Sequence, residues 1–434
     1  MLEHALIRLF VVFFTFITWR KLDLGLFFVF LFLPSYLIRF KFAGLPSTLL
    51  EIMIWIIFLI WVSERIVKLD YKKQFDNLIT TYKNNFTLFI ASGLFLIGAT
   101  ISIYTSINLK SALGEWKAFY IEPFLLFIIL ITHIKTNKQI QNILSAIVLC
   151  GLATSILAIY QHFTGWMVPW DFWENRNTFR VTGWYSFPNG VGLFLAPIYP
   201  LAIYLFQNKW SLLKKEKNNL NYLILIISLL FIIFSPLAIF FAKSTGGLIG
   251  IIASIGLLLL IWQKSRKFIL VFGIISLLII IFMPTNSLKQ ELLMQDRSGQ
   301  IRLDMWAETI EFLKDNPIKG AGLASYKTLI YPYRIDKWIE VFHHPHNIFL
   351  TIWVNTGIIG LFGFTWIIVW FYRVGLMNLK KDKLIIFLLA TITAFTTTGL
   401  VDSPYIKNDL AIFFWILPAL LIVTTRQKGE NEIE

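Results

Sequence analysis

An all-α bundle of membrane-spanning helices is the fold this sequence predicts, and three observations carry the prediction. Of 434 residues, 57% are hydrophobic and only 15% charged, whereas a soluble domain gives about a quarter of its residues to charge. The mean hydropathy is +0.69, with 41 phenylalanines. Apolar runs of span length recur along the chain, near 5–19, 22–38, 46–62, 86–105, 117–134, 139–162, 189–207, 221–242, 245–262, 267–283, 347–372, 384–401 and 409–425. A helix crosses a bilayer in roughly 17–25 apolar residues. About 12–13 spans are therefore expected, the first short enough to lie in the interface.

Helices are expected because lipid-exposed backbone must satisfy its own hydrogen bonds. The weak alternation of a membrane barrel is absent. Composition excludes disorder, collagen, coiled coil and a disulfide scaffold. The single cysteine, Cys150, lies in an apolar run, so neither an internal disulfide nor a Cys-based zinc site is expected. The first run lacks a small-residue cleavage site and leads straight into the second, which reads as a retained anchor.

The net charge of +14 does not read as nucleic-acid binding, because the basic residues are scattered through short loops. Their distribution sets orientation instead. One set of alternate short loops holds 22 Lys and Arg, the other 8. The richer set belongs in the cytoplasm, which puts the long loop 284–346 outside and the C-terminus inside. The expected organisation is spans over 1–283 with an outer loop at 163–188, the long extracytoplasmic loop 284–346, and C-terminal spans with a tail over 347–434.

Two outer segments stand out. The loop 163–188 carries Trp166, Trp170, Trp173 and Trp184, and leads through Arg180-Val-Thr-Gly-Trp-Tyr-Ser-Phe-Pro-Asn189. Within the long loop, Leu303, Trp306, Ile310 and Leu313 recur at steps of three and four and predict an amphipathic helix over 301–314. Asp315-Asn316-Pro317 ends it, and Gly320 and Gly322 predict a turn.

The densest polar cluster is His343-His344-Pro345-His346-Asn347. Imidazole is a common metal ligand, yet the nearest acid is Glu340, outside the cluster, so no metal is expected. Two readings stay open: interfacial histidines solvating a helix start, or a catalytic base. For the second, the positive helix terminus would keep His346 neutral, as a general base requires. Arg302, one turn before Trp306, is either a guanidinium resting on an aromatic face or an anion clamp. Arg180 invites the same question among its tryptophans, which also suit an interfacial belt. Lys243, in Lys-Ser-Thr-Gly-Gly247, either snorkels or binds an anion. Glu51, Glu122, Asp402 and Asp409 lie in or beside spans, with no partner evident from sequence. There is no glycine-rich phosphate loop, Gly-X-Ser-X-Gly elbow or Asp-X-Asp pair, which points to a lipid-borne donor.

His346-Asn347, nine further residues, then Gly357-Ile-Ile-Gly360 resembles the signature of the O-antigen ligase and polymerase superfamily. Arg302-Leu-Asp-Met-Trp306 and Asn316-Pro-Ile-Lys-Gly-Ala-Gly322 resemble its outer-loop pattern, and Arg180–Gly183 with Pro188-Asn189 a further recurrent element. The resemblance implies a glycosyltransferase on the outer face of the cytoplasmic membrane. The donor would be a glycan on undecaprenyl diphosphate, and the acceptor a hydroxyl of a sugar or lipid-anchored sugar. His346 would be the base, with His344, Asn347 and Trp306 in support. Arg302 and a second cation would hold the diphosphate, without metal or cofactor. The second family arginine sits in a Ser-Arg-Gly turn, where this chain has Ser244-Thr245-Gly246. Lys243 or Arg180 is expected to replace it. A single displacement would invert the anomeric carbon. The competing class is a lipid-glycan flippase or other transporter, although transporters favour midplane sites in repeated halves.

Overall fold

The computed structural model describes residues 2–42, 45–67, 71–175, 179–262 and 287–430, with 266, 267 and 273. Among them, six helices are long and apolar enough to cross a membrane: Phe86–Tyr104, Asn137–Thr164, Asn189–Leu213, Asn219–Phe241, Ile348–Met377 and Asn408–Arg426. Shorter apolar helices cover Leu22–Leu31, Thr245–Ile261 and Lys383–Gly399. Helices Leu2–Arg20 and Leu49–Val67 fill two more of the expected runs. The chain is an all-α, multi-pass membrane bundle. The expected span 267–283, apart from 267 and 273, and the loop cations Lys68, Arg176 and Lys264 lie outside the described residues.

The second run departs from expectation. Its helix stops at Leu31 and continues as a 3-10 turn, Leu33–Leu37, before a hairpin pairs Arg39–Phe42 with Leu45–Thr48. Pro34 accounts for the break, since proline disfavours helix at the residue before it. Helix Asn137–Thr164 is bounded by local chemistry: Thr136 and Gln139 form a reciprocal capping box, and Gly165 closes it with φ +73°.

Small residues let backbones approach. A Cβ on Gly98 would stand 2.5 Å from the Gly360 nitrogen, and one on Gly363 2.5 Å from the Phe95 nitrogen. Helices Phe86–Tyr104 and Ile348–Met377 thus lie against each other along a small-residue seam. Beside it Phe95, Tyr120, Phe364, Tyr405 and Phe414 form an aromatic block with centroids 5.1–5.9 Å apart. Tyr405 donates to the Phe119 carbonyl (2.8 Å) and accepts from Trp415 Nε1 (3.1 Å). These bonds pin the turn between the last two helices, where Asp402 lies.

The long loop carries the expected helix with two corrections. It runs Arg297–Asp315, starting four residues early, because Asp296 caps it by accepting from Ser298 N (3.1 Å) and Gly299 N (3.2 Å). Its buried stripe is Met305, Glu308, Thr309 and Phe312, with Leu313 beside it, while Leu303 and Ile310 are exposed. The buried side is set by the rest of the loop. Tyr326 bonds Thr309 (2.8 Å), and Glu308 pairs with Arg334 (3.3 Å) and accepts from Ile335 N (2.7 Å).

Helix Ile348–Met377 is broken at Gly357, whose φ of +67° and ψ of −175° no ordinary residue adopts cheaply. The segment after Pro317 fills the break: Ile358 N donates to Ile318 O (3.0 Å) and Ala321 N to Val354 O (2.7 Å). Gly320 passes so close that a Cβ would meet the Val354 carbonyl at 2.4 Å. The glycines of the two resembling motifs therefore meet in one joint.

Ionisable groups within the bundle are paired internally. Lys117 bonds Glu51, Trp55 Nε1 donates to Glu122 (3.2 Å), and His133 meets Asp23 at 2.8 Å.

Candidate functional site

At the loop-bearing end of the bundle lies a cavity of about 260 Å³, and Arg180, Lys243 and Arg302 all line it. They come from three separate stretches of chain. Gln161, buried at the end of its helix, fixes the first by accepting from Thr182 N (3.1 Å) and Gly183 N (2.8 Å). Arg180 then reaches across to donate to the carbonyls of Ala242 (2.8 Å) and Lys243 (2.9 Å), with its guanidinium 5.1 Å from the Trp173 ring. Lys243 itself stands at φ +48° just before helix Thr245–Ile261. Arg302 donates to the Val401 carbonyl (3.0 Å) and the Ser298 hydroxyl (2.9 Å). Burial and the nearby Arg302 pull the Arg180 guanidinium down to about 10, against the opposing pull of Glu291 and Asp402, so it stays charged at neutral pH. Among the described residues, no ion pair involves Arg180, Lys243 or Arg302. Thr245, where the resemblance led an arginine to be expected, instead bonds Glu291 in the same cavity wall.

The turn at 400–403 links this cavity to the histidines. Asp402 lines the cavity and its Oδ1 lies 2.9 Å from His346 Nδ1. Ser403 N bonds the same oxygen (2.8 Å), and Asn189 Nδ2 donates to Oδ2 (3.1 Å). Asn347 holds the turn by donating to the Leu400 carbonyl (3.0 Å). With its own Oδ1 it caps helix Ile348–Met377 at Phe349 N (3.0 Å) and Leu350 N (3.1 Å). Trp306 Nε1 donates to the Pro345 carbonyl (2.9 Å), tying the loop helix to the histidine segment. Burial pushes the Asp402 carboxyl up, but the His346 ring and its hydrogen bond outweigh this and hold it well below the usual carboxylate range. Burial pushes the His344 imidazole down to about 3, aided by neighbouring His346.

Two expectations change here. Asn347 caps the helix, and the group facing the His346 ring is a buried carboxylate rather than a helix terminus. The histidines also do have an acid: His344, His346 and Asp402 offer ligand atoms within 4.8 Å of one another. Those three residues could hold a metal, with His346 Nδ1 and Asp402 Oδ1 already spent on each other. His346 adopts φ +50°, a left-handed conformation costing on the order of 1 kcal/mol for a residue with a Cβ. The surrounding bonds hold it there. Sequence reading missed Asp402 as part of the site; its one signal was an ionisable residue at the edge of a span. The tryptophan loop is mostly exposed at Trp166, Trp170 and Trp184, with only Trp173 against a site cation.

Fold and site together define a multi-pass helical membrane protein with a cavity lined by three cations and three carboxylates (Glu291, Asp296 and Asp402) and backed by a His–Asp pair. Residues 228–365 match the family described as O-Antigen ligase, a stretch containing Lys243, Arg302, His346 and the Gly357 joint. The chain is also similar to proteins named as candidate polysaccharide ligases. It is 27% identical to that of Rickettsia typhi over 69% of this chain and 71% of the relative, and 26% identical over the same shares to that of Rickettsia prowazekii. The Rickettsia conorii protein is 27% identical over 67% of this chain and 68% of its own. The resemblance read from the motifs is borne out, and the transporter alternative gains no support.

Proposed function

We propose that this protein is a glycosyltransferase of the polysaccharide ligase or polymerase type. It moves a glycan from a polyprenyl diphosphate carrier to an acceptor hydroxyl on the outer face of the cytoplasmic membrane. The observation that carries this reading is the convergence of Arg180, Lys243 and Arg302 on one cavity whose wall includes Asp402, the partner of His346. An anomeric carbon bonded to diphosphate already has a good leaving group. What remains is a base, cations for the charge that develops, and orientation.

With His346 Nδ1 engaged by Asp402, Nε2 is left to take the acceptor's proton. The acceptor oxygen bonds the anomeric carbon as the bond to the diphosphate oxygen breaks, and the carbon inverts. The proton rests on His346 and the negative charge on the departing lipid diphosphate. Asp402 fixes the ring and offsets the charge it acquires, the part a carboxylate plays behind a histidine base. Arg302 and Arg180 present planar forks suited to phosphate oxygens, and Lys243 a point charge. Asn347 and Trp306 hold the histidine segment in place, and His344 packs against the His346 ring at 4.7 Å. Three side-chain cations do the work a metal does elsewhere, so the transfer is proposed to be metal-independent.

The test is reconstitution of the purified protein in vesicles with undecaprenyl diphosphate glycan and a sugar acceptor, with and without chelator. Product of inverted anomeric configuration, formed equally in both, is the expected result. Absence of transfer, retention of configuration or loss with chelator each refutes the corresponding part. In cells lacking the protein, single repeat units accumulating on lipid identify a polymerase, and intact long chains a ligase. Cysteines at Ser298 and Lys215, in a Cys150→Ser background, should label from outside and inside respectively.

A further inference from the structure

We propose that Asn189 is a positioning residue that keeps the anion-binding cation and the base's carboxylate from neutralising each other. The inference rests on the transfer function proposed above. Asn189 opens helix Asn189–Leu213 directly after Pro188 and lines the cavity. Its Oδ1 accepts from Arg180 Nη2 at 2.8 Å, and its Nδ2 donates to Asp402 Oδ2 at 3.1 Å. Asp402 Oδ1 in turn meets His346 Nδ1 at 2.9 Å. An unbroken hydrogen-bonded chain therefore runs from Arg180 to His346, through one amide and one carboxylate.

The chemistry of the neighbours dictates the amide's orientation. A guanidinium can only donate and an ionised carboxylate can only accept, so the amide oxygen faces Arg180 and the amide nitrogen faces Asp402. Asparagine is the small side chain that satisfies both at once. Without it, a guanidinium and a carboxylate on the same cavity wall have every electrostatic reason to pair directly. Such a pair would spend both groups. Arg180 would lose the donor it owes an incoming diphosphate, and Asp402 would turn away from the His346 ring. Asn189 holds them apart while keeping each hydrogen-bonded.

Two substitutions separate this role from simple packing. Asn189→Asp keeps an acceptor for Arg180 but sets a carboxylate against Asp402; Asn189→Leu removes both bonds. In steady-state transfer with polyprenyl diphosphate glycan, Asn189→Asp should lower kcat by on the order of 10²-fold, the cost of a small misplacement at the reacting groups, and raise KM for the lipid donor, because the new carboxylate pairs with Arg180. Asn189→Leu should lower kcat similarly and also raise KM, because Arg180 is then free to collapse onto Asp402. In the double variant with Asp402→Asn the losses should not multiply, since Asn189 acts through that carboxylate. Thermal midpoints of the purified variants provide the control for folding. Parental kcat in Asn189→Asp, multiplying losses in the double variant, or a uniform fall explained by a lowered thermal midpoint each overturns the assignment. A parent protein that transfers nothing overturns the underlying function as well, whereas an active parent with active variants removes Asn189 alone.

Discussion

Around Glu51 and Lys117, ionisable groups inside the helical bundle are partnered where they stand: the two bond each other, Trp55 donates a hydrogen bond to Glu122, and Asp23 serves His133. At the cavity the arrangement differs. Arg180 and Arg302 donate to backbone carbonyls, which orient them without cancelling their charge, and Lys243 reaches the same space with no acid paired to it among the described residues. Both regions contain ionisable groups in an apolar protein, where each such group is costly unless it is paired or functional. Internal pairing marks a staple; oriented cations facing a cavity are what the proposed transfer requires of its diphosphate site.

Substitutions test this contrast most severely at Arg302. Arg302→Ala should bring transfer to background in the reconstituted assay, and Arg302→Lys should restore only part of it, because a point charge does not reproduce the bidentate fork. Full turnover in Arg302→Ala would place this cation among the staples. Next in size is His346→Gln, which keeps a polar side chain at the turn but cannot take the acceptor's proton. Its rate should fall by roughly 10²–10⁴-fold with membrane abundance unchanged. A parental rate would remove His346 from the chemistry.

Arg180→Ala and Lys243→Ala separate the two remaining cations of the cavity. Arg180 is fixed by three hydrogen bonds and Lys243 is exposed. Arg180→Ala should therefore cost more, on the order of tenfold or beyond, than Lys243→Ala, and the idea of a second cation fails if both turn over normally. On the other side of the contrast, Lys117→Met should lower the thermal midpoint by roughly 2–4 °C while leaving turnover per folded molecule intact. A selective loss of turnover there would break the distinction.

The smallest effect concerns pH. His344, held down to about 3 by burial, refuses a proton that the unfolded chain accepts below about 6.5. Unfolding therefore takes up a proton between those values, and stability falls as pH drops through that window. The fall in thermal midpoint from pH 7 to 5 should be smaller in His344→Gln than in the parent. An equal fall in both would show that His344 does not contribute.

Span-length apolar runs, the loop helix and its end at Asp315, and the residue types able to bind an anion or move a proton were all legible in the chain, because each is a local property of composition or spacing. The sequence alone also held the motif resemblance. Tertiary structure decided what distance along the chain conceals. Asp402 stands 56 residues beyond His346, and no periodicity joins them; only the pinned turn at Tyr405 does. The buried face of the loop helix went to Met305, Glu308 and Phe312 because residues 326–335 of the same loop fold back on that side, a choice an apolar stripe does not encode. The spacing of Gly357 and Gly360 could be read in one dimension. That Gly357 opens a helix to admit the turn at Gly320, and that three cations from three stretches face one cavity, follow from packing, where backbone hydrogen bonds and close contacts select among arrangements that the sequence pattern leaves equal.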